Sequence, residues 1–125
     1  MAAKKVLVIE DNELNMKLVR GLLSLDDYTM LEATDAEAGI KMAMQYRPDI
    51  ILMDIQLPGM AGLEATKIIN EDDDLKGIPI VALTSYAMQG DEEKAKRAGC
   101  SGYLTKPIDT RSFLDYIRNI IDQKD

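Results

Sequence analysis

The chain has 125 residues, of which 46% are hydrophobic and 30% are charged, as expected of one soluble globular domain. Its net charge of −7 argues against a nucleic-acid-binding protein, which would need a basic face to neutralise phosphates. The sequence contains no histidine, which excludes a histidine base, a histidine metal ligand and a phosphohistidine of its own.

No apolar run approaches the length needed to span a bilayer, and the run that ends before Glu10 is too short for a signal peptide. The single cysteine, Cys100, cannot form an internal disulfide. These features predict a cytoplasmic protein that does not associate with membranes. We expect one domain over residues 1–125, because this length is that of one domain, and Met1 and the last three residues look like natural ends.

The N-terminal part alternates predicted strands and helices. An apolar run indicates a first strand at residues 4–10, and Asn12 is predicted to cap the following helix. Four leucines that recur every three or four residues predict the buried face of this helix: Leu14, Leu18, Leu22 and Leu25. A second strand at residues 28–33 leads to a capping box of Thr34 and Glu37, which opens a helix that ends before the next proline.

The central predicted strand, Ile50–Asp54, is apolar up to its last residue and precedes a proline–glycine turn. An unbroken apolar run is typical of a strand that is buried on both faces. A third helix is predicted at residues 63–70, and the acidic residues 71–74 that follow it are expected to be solvated rather than metal-binding.

The C-terminal part continues the alternation. A fourth strand is predicted at residues 78–84, followed by a helix at 89–98 that has little apolar surface and ends at Gly99. A short fifth strand at residues 103–105 precedes a last helix that Asp109 is predicted to cap. This helix has the clearest helical periodicity in the chain: Phe113, Leu114, Ile117, Ile120 and Ile121.

Five strand–helix repeats predict an α/β fold with a parallel sheet that is covered by helices on both faces. Right-handed crossovers leave few topologies open. The simplest arrangement at this length is a single flavodoxin-like, doubly wound (βα)5 domain, whose five-stranded sheet has the order 2-1-3-4-5.

Polar residues follow or end four of the predicted strands, and in this architecture those strand ends lie along one edge of the sheet. The residues are Glu10 and Asp11, Asp54, Thr84 and Lys106. Each has an ordinary explanation by itself, as a loop start, a turn aspartate, a helix cap or a surface lysine. Four strands would have to place such residues at the same end by chance, so together they indicate a functional site.

Three carboxylates packed together would raise one another's pKa unless a cation lies among them. Oxygen ligands without histidine or thiolate suit a hard cation such as Mg²⁺. An aspartate beside Mg²⁺ can attack a phosphoryl group and become an aspartyl phosphate. Lys106 would neutralise charge on that group, while the Thr84 hydroxyl and the backbone N–H groups after Asp54 and at Ser85 would donate hydrogen bonds to it.

Four segments carry a resemblance to a known family: VIEDN at 8–12, LMDIQLPGM at 52–60, VALTS at 81–85 and AGCSGYLTKP at 98–107. Over its whole length the chain resembles the CheY-like receiver domain of bacterial two-component response regulators. The resemblance implies that Asp54 is the phosphoacceptor. It also implies that Mg²⁺, or Mn²⁺ in its place, contacts Asp11, Asp54 and the backbone carbonyl of Gln56, with Glu10 reaching the ion through water.

The same resemblance implies that Lys106 pairs with the phosphoryl group, that the Lys106–Pro107 bond is cis, and that Thr84 and Tyr103 form the switch. Without the resemblance, Tyr103 is equally well explained as an ordinary half-buried strand aromatic. Phosphate access and lifetime are assigned to three further residues: Gln56, Ser85 and Tyr86. Ser85 stands where the family often has Ala or Gly, and is predicted to keep access open. The bulkier Tyr86 is predicted to shield the phosphoryl group from water.

The family resemblance implies a phosphoacceptor switch that catalyses its own phosphorylation and dephosphorylation, rather than an enzyme with a separate product. The phosphoryl donor would be a phosphohistidine on a histidine kinase or a histidine phosphotransfer protein. A downstream protein partner would bind the changed surface of the fourth helix, fifth strand and fifth helix, and we expect a monomer. Residues 11–18 and 71–75 look most like DivK-type single-domain regulators of cell division and development.

Three alternatives remain open. The Asp-Asn-x-x-Asn element at residues 11–15 also occurs in hybrid histidine kinases, so the chain could be a receiver cut from one. A phosphatase of the haloacid-dehalogenase type would need a second aspartate where this chain has Gln56. A flavodoxin would need a phosphate-cradling Ser/Thr/Gly loop where this chain has the acidic residues 10–13.

Overall fold

The computed structural model describes residues 3–57, 59–84 and 91–124. Strands and helices alternate strictly along this part of the chain. Their bounds are β1 Lys4–Ile9, α1 Glu13–Leu23, β2 Tyr28–Ala33, α2 Ala36–Tyr46, β3 Ile50–Asp54, α3 Gly62–Glu71, β4 Ile80–Thr84, α4 Asp91–Ala98, β5 Gly102–Thr105 and α5 Phe113–Lys124. None of these helices is both long and apolar enough to cross a bilayer.

The five strands form one parallel sheet with the order β2-β1-β3-β4-β5, which confirms the predicted topology. The register places Val8 opposite Leu52, and Asp54 opposite Leu83. Because all strands run in the same direction, their C-terminal ends share one edge of the sheet. That edge carries the polar residues that follow β1 and β5 and those that end β3 and β4.

The sheet is buried on both faces, because successive side chains of a strand point to opposite sides. Val6 and Val8 pack with residues of α1 and α5 on one side. Leu7 and Ile9 pack with residues of α2 and α3 on the other side. All residues of β3 and β4 are buried, so the unbroken apolar runs of the sequence correspond to the central strands.

The predicted buried face of α1 is only partly right, because Leu22 is buried and the other three leucines are not. Leu14 and Leu25 are 78% and 74% exposed, and Leu18 is 37% exposed. The residues of α1 that are buried are Met16, Val19, Leu22 and Leu23. Both sets repeat every three or four residues, so periodicity alone cannot choose between them. Packing against the sheet and α5 decides, and it leaves a stripe of leucines in solvent.

Two helix starts also differ from the prediction. The cap of α2 is Asp35, whose Oδ1 accepts a hydrogen bond from the Ala38 N–H at 2.8 Å, rather than Thr34. Asp109 stabilises the turn before α5 instead of capping the helix: its Oδ1 accepts from the Arg111 N–H at 3.0 Å. The cap of α1 is confirmed, because Asn12 Oδ1 accepts from the Asn15 N–H at 3.1 Å.

The last two helices bury the faces that the sequence indicates. In α5 the buried residues include Phe113 and Ile117, and both Ile120 and Ile121 lie in the same core. In α4 the described buried side chains are only Ala95 and Ala98, as its composition predicts. Gly99 follows α4 with a φ of +107°, a conformation that glycine adopts most readily. The predicted start of α4 at residue 89 lies outside the described residues.

Candidate functional site

The acidic residues that were predicted to form a site lie together at the edge where the strands end. Glu10 and Asp11 follow β1, and Asp54 is the last residue of β3. One carboxylate oxygen from each lies within 4.8 Å of the others. Glu10 and Asp54 are buried, whereas Asp11 is exposed, so the cluster opens to solvent on the side of Asp11.

Lys106 joins the two buried acids. Its Nζ forms an ion pair with Glu10 Oε1 and another with Asp54 Oδ2 at 3.2 Å, and the side chain is only 8% exposed. The backbone N–H of Lys106 donates to the Thr84 carbonyl at 2.7 Å, which ties the loop after β5 to the end of β4. The Lys106–Pro107 peptide bond is cis.

Each buried acid accepts a hydrogen bond from a backbone N–H group of the loop that follows its own strand. The Asn12 N–H donates to Glu10 Oε2 at 3.2 Å. The Gln56 N–H donates to Asp54 Oδ1 at 2.8 Å, while the side chain of Gln56 is exposed. The loops after β1 and β3 therefore orient the two carboxylates before any ligand binds.

The two buried acids have opposite pKa shifts. Burial, and after it the hydrogen bond with Asp54, raises the pKa of Glu10 to about 7, against the lowering effect of Lys106 and of the Asn12 amide. Burial also acts to raise the pKa of Asp54. The hydrogen bonds from Glu10 and from the Gln56 amide, together with the Lys106 charge, outweigh that effect and lower its pKa. Near neutral pH Asp54 is therefore ionised, whereas Glu10, with a pKa of about 7, is only partly protonated.

Thr84 and Tyr103 lie on neighbouring strands. Thr84 ends β4 and is completely buried, and Tyr103 is half-buried in β5, opposite Ala82. The Tyr103 N–H donates to the hydroxyl oxygen of Tyr116 on α5 at 3.0 Å. Ser85 and Tyr86, to which phosphate access and lifetime are assigned, lie outside the described residues.

Changing Tyr116 to Phe removes only the acceptor for the Tyr103 N–H. We expect this amide to exchange its hydrogen about fivefold faster, because a typical hydrogen bond contributes roughly 1 kcal/mol. Hydrogen exchange measured by NMR tests the prediction, with the amide of Leu52 in β3 as an internal control. Unchanged exchange at Tyr103 would show that the hydroxyl does not stabilise this edge strand.

Gly62 is a site residue that the sequence analysis missed. It begins α3, and a Cβ atom at this position would lie 2.2 Å from the backbone oxygen of Asp54 and 2.7 Å from the Cα of Ile55. Its own carbonyl accepts a hydrogen bond from the buried Thr66 hydroxyl at 2.9 Å. Glycine therefore lets the start of α3 pack directly on the backbone of Asp54. No sequence signal marks it, because the contact joins two elements across a loop.

Comparison with known families agrees with the geometry. The model of the response regulator receiver domain matches residues 6–118. The polar-differentiation response regulator DivK of Brucella anthropi is 44% identical over 118 residues, covering 94% of this chain and 96% of the relative. DivK of Brucella ovis is 42% identical over 118 residues, with 94% and 96% covered.

Solved structures show the same fold. The receiver domain of a sensor histidine kinase from Pseudomonas aeruginosa, with a magnesium ion in its active-site cleft, superposes with a TM-score of 0.89 at 32% identity, covering 97% of this chain and 99% of that one. CheY4 of Vibrio cholerae has a TM-score of 0.88 at 26% identity, covering 95% and 99%. The Mn²⁺-bound response regulator Rcp1 has a TM-score of 0.78 at 28% identity, covering 94% and 91%. This chain belongs to the receiver domains of response regulators, the phosphoacceptor switches of two-component signalling.

Proposed function

We propose that residues 1–125 form a single receiver domain that accepts a phosphoryl group on Asp54 and catalyses both its uptake and its loss. The observation that carries this proposal is the setting of the Asp54 carboxylate. It is buried and paired with Lys106, its pKa is lowered by the surrounding hydrogen bonds and by the Lys106 charge, and it lies beside an exposed acid at the edge of the sheet. A nucleophile needs to be charged and oriented, and this arrangement supplies both.

In the proposed uptake step, a carboxylate oxygen of Asp54 attacks the phosphorus of a phosphohistidine on a partner protein. The new P–O bond forms as the P–N bond breaks, and the imidazole leaves with that electron pair and takes up a proton. In the loss step, water attacks the phosphorus, the carboxylate of Asp54 is restored, and inorganic phosphate leaves while a proton passes to solvent. Lys106 offsets charge on the phosphoryl oxygens, and the Gln56 amide keeps the carboxylate oriented.

The acidic cluster fits a divalent cation, because its donors are hard carboxylate oxygens that converge from the C-terminal ends of β1 and β3. We propose that Asp11, Asp54 and the Gln56 carbonyl would hold Mg²⁺ or Mn²⁺, with Glu10 reaching the ion through water. The ion would supply positive charge that offsets the charge of the phosphoryl group. A magnesium ion in the cleft of the Pseudomonas aeruginosa receiver and Mn²⁺ in Rcp1 support this proposal.

The apparent affinity for Mg²⁺ is expected to rise with pH. Glu10 has a pKa of about 7 and must release its proton for the site to reach full negative charge. Affinity should therefore increase by up to tenfold per pH unit below pH 7 and level off above it. Calorimetric titrations with MgCl₂ across this pH range, in buffers of different ionisation enthalpy, measure both the affinity and the released proton.

The matched control is Glu10→Gln, which keeps the size of the side chain and removes the titrating proton. This variant should bind Mg²⁺ more weakly, with an affinity that changes little with pH. A wild-type affinity that is flat across the same range, with no proton released, would contradict the prediction.

We propose that phosphorylation shifts the population of the α4–β5–α5 face. The phosphoryl group would offer the Thr84 hydroxyl a hydrogen bond, and Tyr103 would rotate into the space that Thr84 leaves. Among its described side chains, α4 buries only Ala95 and Ala98. A weakly anchored helix moves more readily, which supports the proposal that this face is the one that changes. A cavity of about 530 Å³ along it, lined in part by Lys96, Tyr103 and Tyr116, offers room for a partner. The roles of Ser85 and Tyr86 stay predictions.

The proposed phosphodonor is a histidine kinase or a histidine phosphotransfer protein. It must approach the open side of the site at Asp11, where α1 begins. The exposed Leu14 and Leu18 extend from that point and offer an apolar surface to such a protein. We propose that the chain is a monomer that acts in the cytoplasm, where these donors are available.

Within the family we propose a DivK-type regulator, in keeping with the relatives that are more than 40% identical. The second candidate is the receiver of a hybrid histidine kinase, which the 32% identity to the Pseudomonas aeruginosa kinase receiver favours. The residues of the site argue against a phosphatase and against a flavodoxin. Gln56 stands where a dehalogenase-type phosphatase needs an aspartate, and the acidic loop after β1 would repel the phosphate of FMN.

Incubation with Mg²⁺ and acetyl phosphate, followed by intact-mass measurement, tests the proposed function. The protein should gain one phosphoryl group, and adding a chelator should prevent the gain. If neither acetyl phosphate nor a phosphorylated histidine phosphotransfer protein adds a phosphoryl group, the proposal is wrong.

A further inference from the structure

The groove between α3 and α4 is lined by cations and apolar groups. Leu63 and Lys67 come from α3, and Lys94, Arg97 and Ala98 come from α4. The groove encloses about 250 Å³, and no acidic residue is among these lining residues. It shares no residue with the acidic cluster or with Lys106.

Three cations in one groove are notable in a chain whose net charge is −7. Lys67 and Lys94 are exposed, and neither forms an ion pair with another residue in the described part of the chain. Arg97 pairs with Glu93 at 3.5 Å, but both side chains remain more than 70% exposed. A cation in the last turn of a helix is favoured by the helix dipole, which accounts for Arg97. That effect does not account for Lys67 or Lys94, which lie on two different helices.

The groove is held in shape by a contact at one end. Asn70 of α3 donates from Nδ2 to the carbonyls of Ala98 at 3.2 Å and Gly99 at 3.0 Å. This contact fixes the C-terminal end of α4 against α3, one helical turn from Lys67. This contact holds the end of α4 where Arg97 and Ala98 lie, so that end of the groove is formed before a ligand binds.

We propose that this groove binds a short acidic segment of a partner protein. One apolar side chain of the segment would pack on the partly exposed Leu63, and flanking carboxylates would pair with Lys67, Lys94 and Arg97. Charge complementarity selects this occupant. A nucleic acid or an anionic membrane would extend beyond the groove and meet the repulsion of a strongly acidic protein, whereas a short acidic segment can stay beside the three cations, with Glu93 as the acid that competes for Arg97.

The test titrates ¹⁵N-labelled protein with a short synthetic peptide that has glutamates on both sides of a single leucine. We expect saturable shifts of the amides around Leu63, Lys67 and Lys94, which weaken as salt is added. The double variant Lys67→Gln/Lys94→Gln should bind about tenfold more weakly, because each exposed charge pair contributes a fraction of the binding energy. The matched control is Lys17→Gln/Lys41→Gln, which changes the net charge equally at exposed sites outside the groove and should bind like the wild type.

Several results would overturn the proposal. Equal weakening in both double variants would show a general charge effect without a site. If a peptide with glutamine in place of each glutamate bound as tightly as the original peptide, charge would not be what the groove recognises. The same shifts with inorganic phosphate at the same concentration would make the groove a site for small anions. Concentration-dependent sedimentation that is lost only in Lys67→Gln/Lys94→Gln would instead identify a second copy of the chain as the occupant.

Discussion

Replacing Asp54 with Asn is expected to abolish the uptake of a phosphoryl group. The amide of asparagine carries no charge and is a far weaker nucleophile than a carboxylate, so uptake should fall by at least about a hundredfold. Intact-mass measurement after incubation with Mg²⁺ and acetyl phosphate should show one added phosphoryl group on the wild type and none on Asp54→Asn.

The variant should remain folded, which separates a chemical effect from unfolding. Asn has nearly the shape of Asp, and its side-chain oxygen can still accept the hydrogen bond that the Gln56 N–H gives to Asp54 at 2.8 Å. Lys106 keeps its ion pair with Glu10. We expect the free energy of unfolding to stay within about 1 kcal/mol of the wild type.

The matched control is Asp27→Asn, which makes the same chemical change at an exposed position and should leave uptake unchanged. If Asp54→Asn gained a phosphoryl group at the wild-type rate, another residue would be the acceptor. The assignment of Asp54 would then be wrong even if the domain proved to be a working receiver.

Replacing Gly62 with Ala is expected to give the largest loss of stability among conservative substitutions at the site. The new Cβ would lie 2.2 Å from the Asp54 backbone oxygen, and neither β3 nor the start of α3 can move without disturbing the core. Overpacking of this kind typically costs about 1–3 kcal/mol, and a collision with backbone belongs at the upper end of that range. Uptake should also slow, because the backbone that carries the nucleophile is displaced.

Gly21→Ala is the matched control, because Gly21 lies in the last turn of α1 and has nothing within 4 Å of the position of a new Cβ. Alanine is the better helix former by about 1 kcal/mol, so this variant should be as stable as the wild type or more stable. Urea denaturation followed by circular dichroism measures both variants. If Gly62→Ala unfolded at the same urea concentration as Gly21→Ala, the contact between α3 and Asp54 would not constrain the site.

The partly mistaken prediction for α1 shows where sequence patterns stop being informative. The sequence around α1 contains two apolar stripes that share Leu22. One consists of leucines and ends at Leu25, beyond the helix, and the other contains Met16, Val19 and Leu23. Helical periodicity is satisfied by either stripe. The buried stripe is the one that meets the sheet and α5, and this depends on how the helix crosses the sheet. The exposed stripe is then available for a partner.

The sequence by itself determined the fold class, the strand order and the identity of the acidic cluster. Apolar runs mark the five strands and helical periodicity marks the five helices, and the handedness of crossovers restricts the topology. Polar residues at the ends of strands can be located from the sequence because parallel strands place those ends along one edge. Because the sequence has no histidine, the cluster offers only oxygen ligands, which predicts a hard cation.

Only the tertiary structure decided how the site is charged and held. Lys106 contacts Glu10 across 96 residues of sequence and Asp54 across 52, and those contacts help to set which acid is ionised. Gly62 and the cationic groove likewise depend on the approach of helices that local patterns do not describe. The physical reason is that pKa values and close packing follow from distances between side chains, which the fold sets, whereas strand and helix patterns follow from the order of residues.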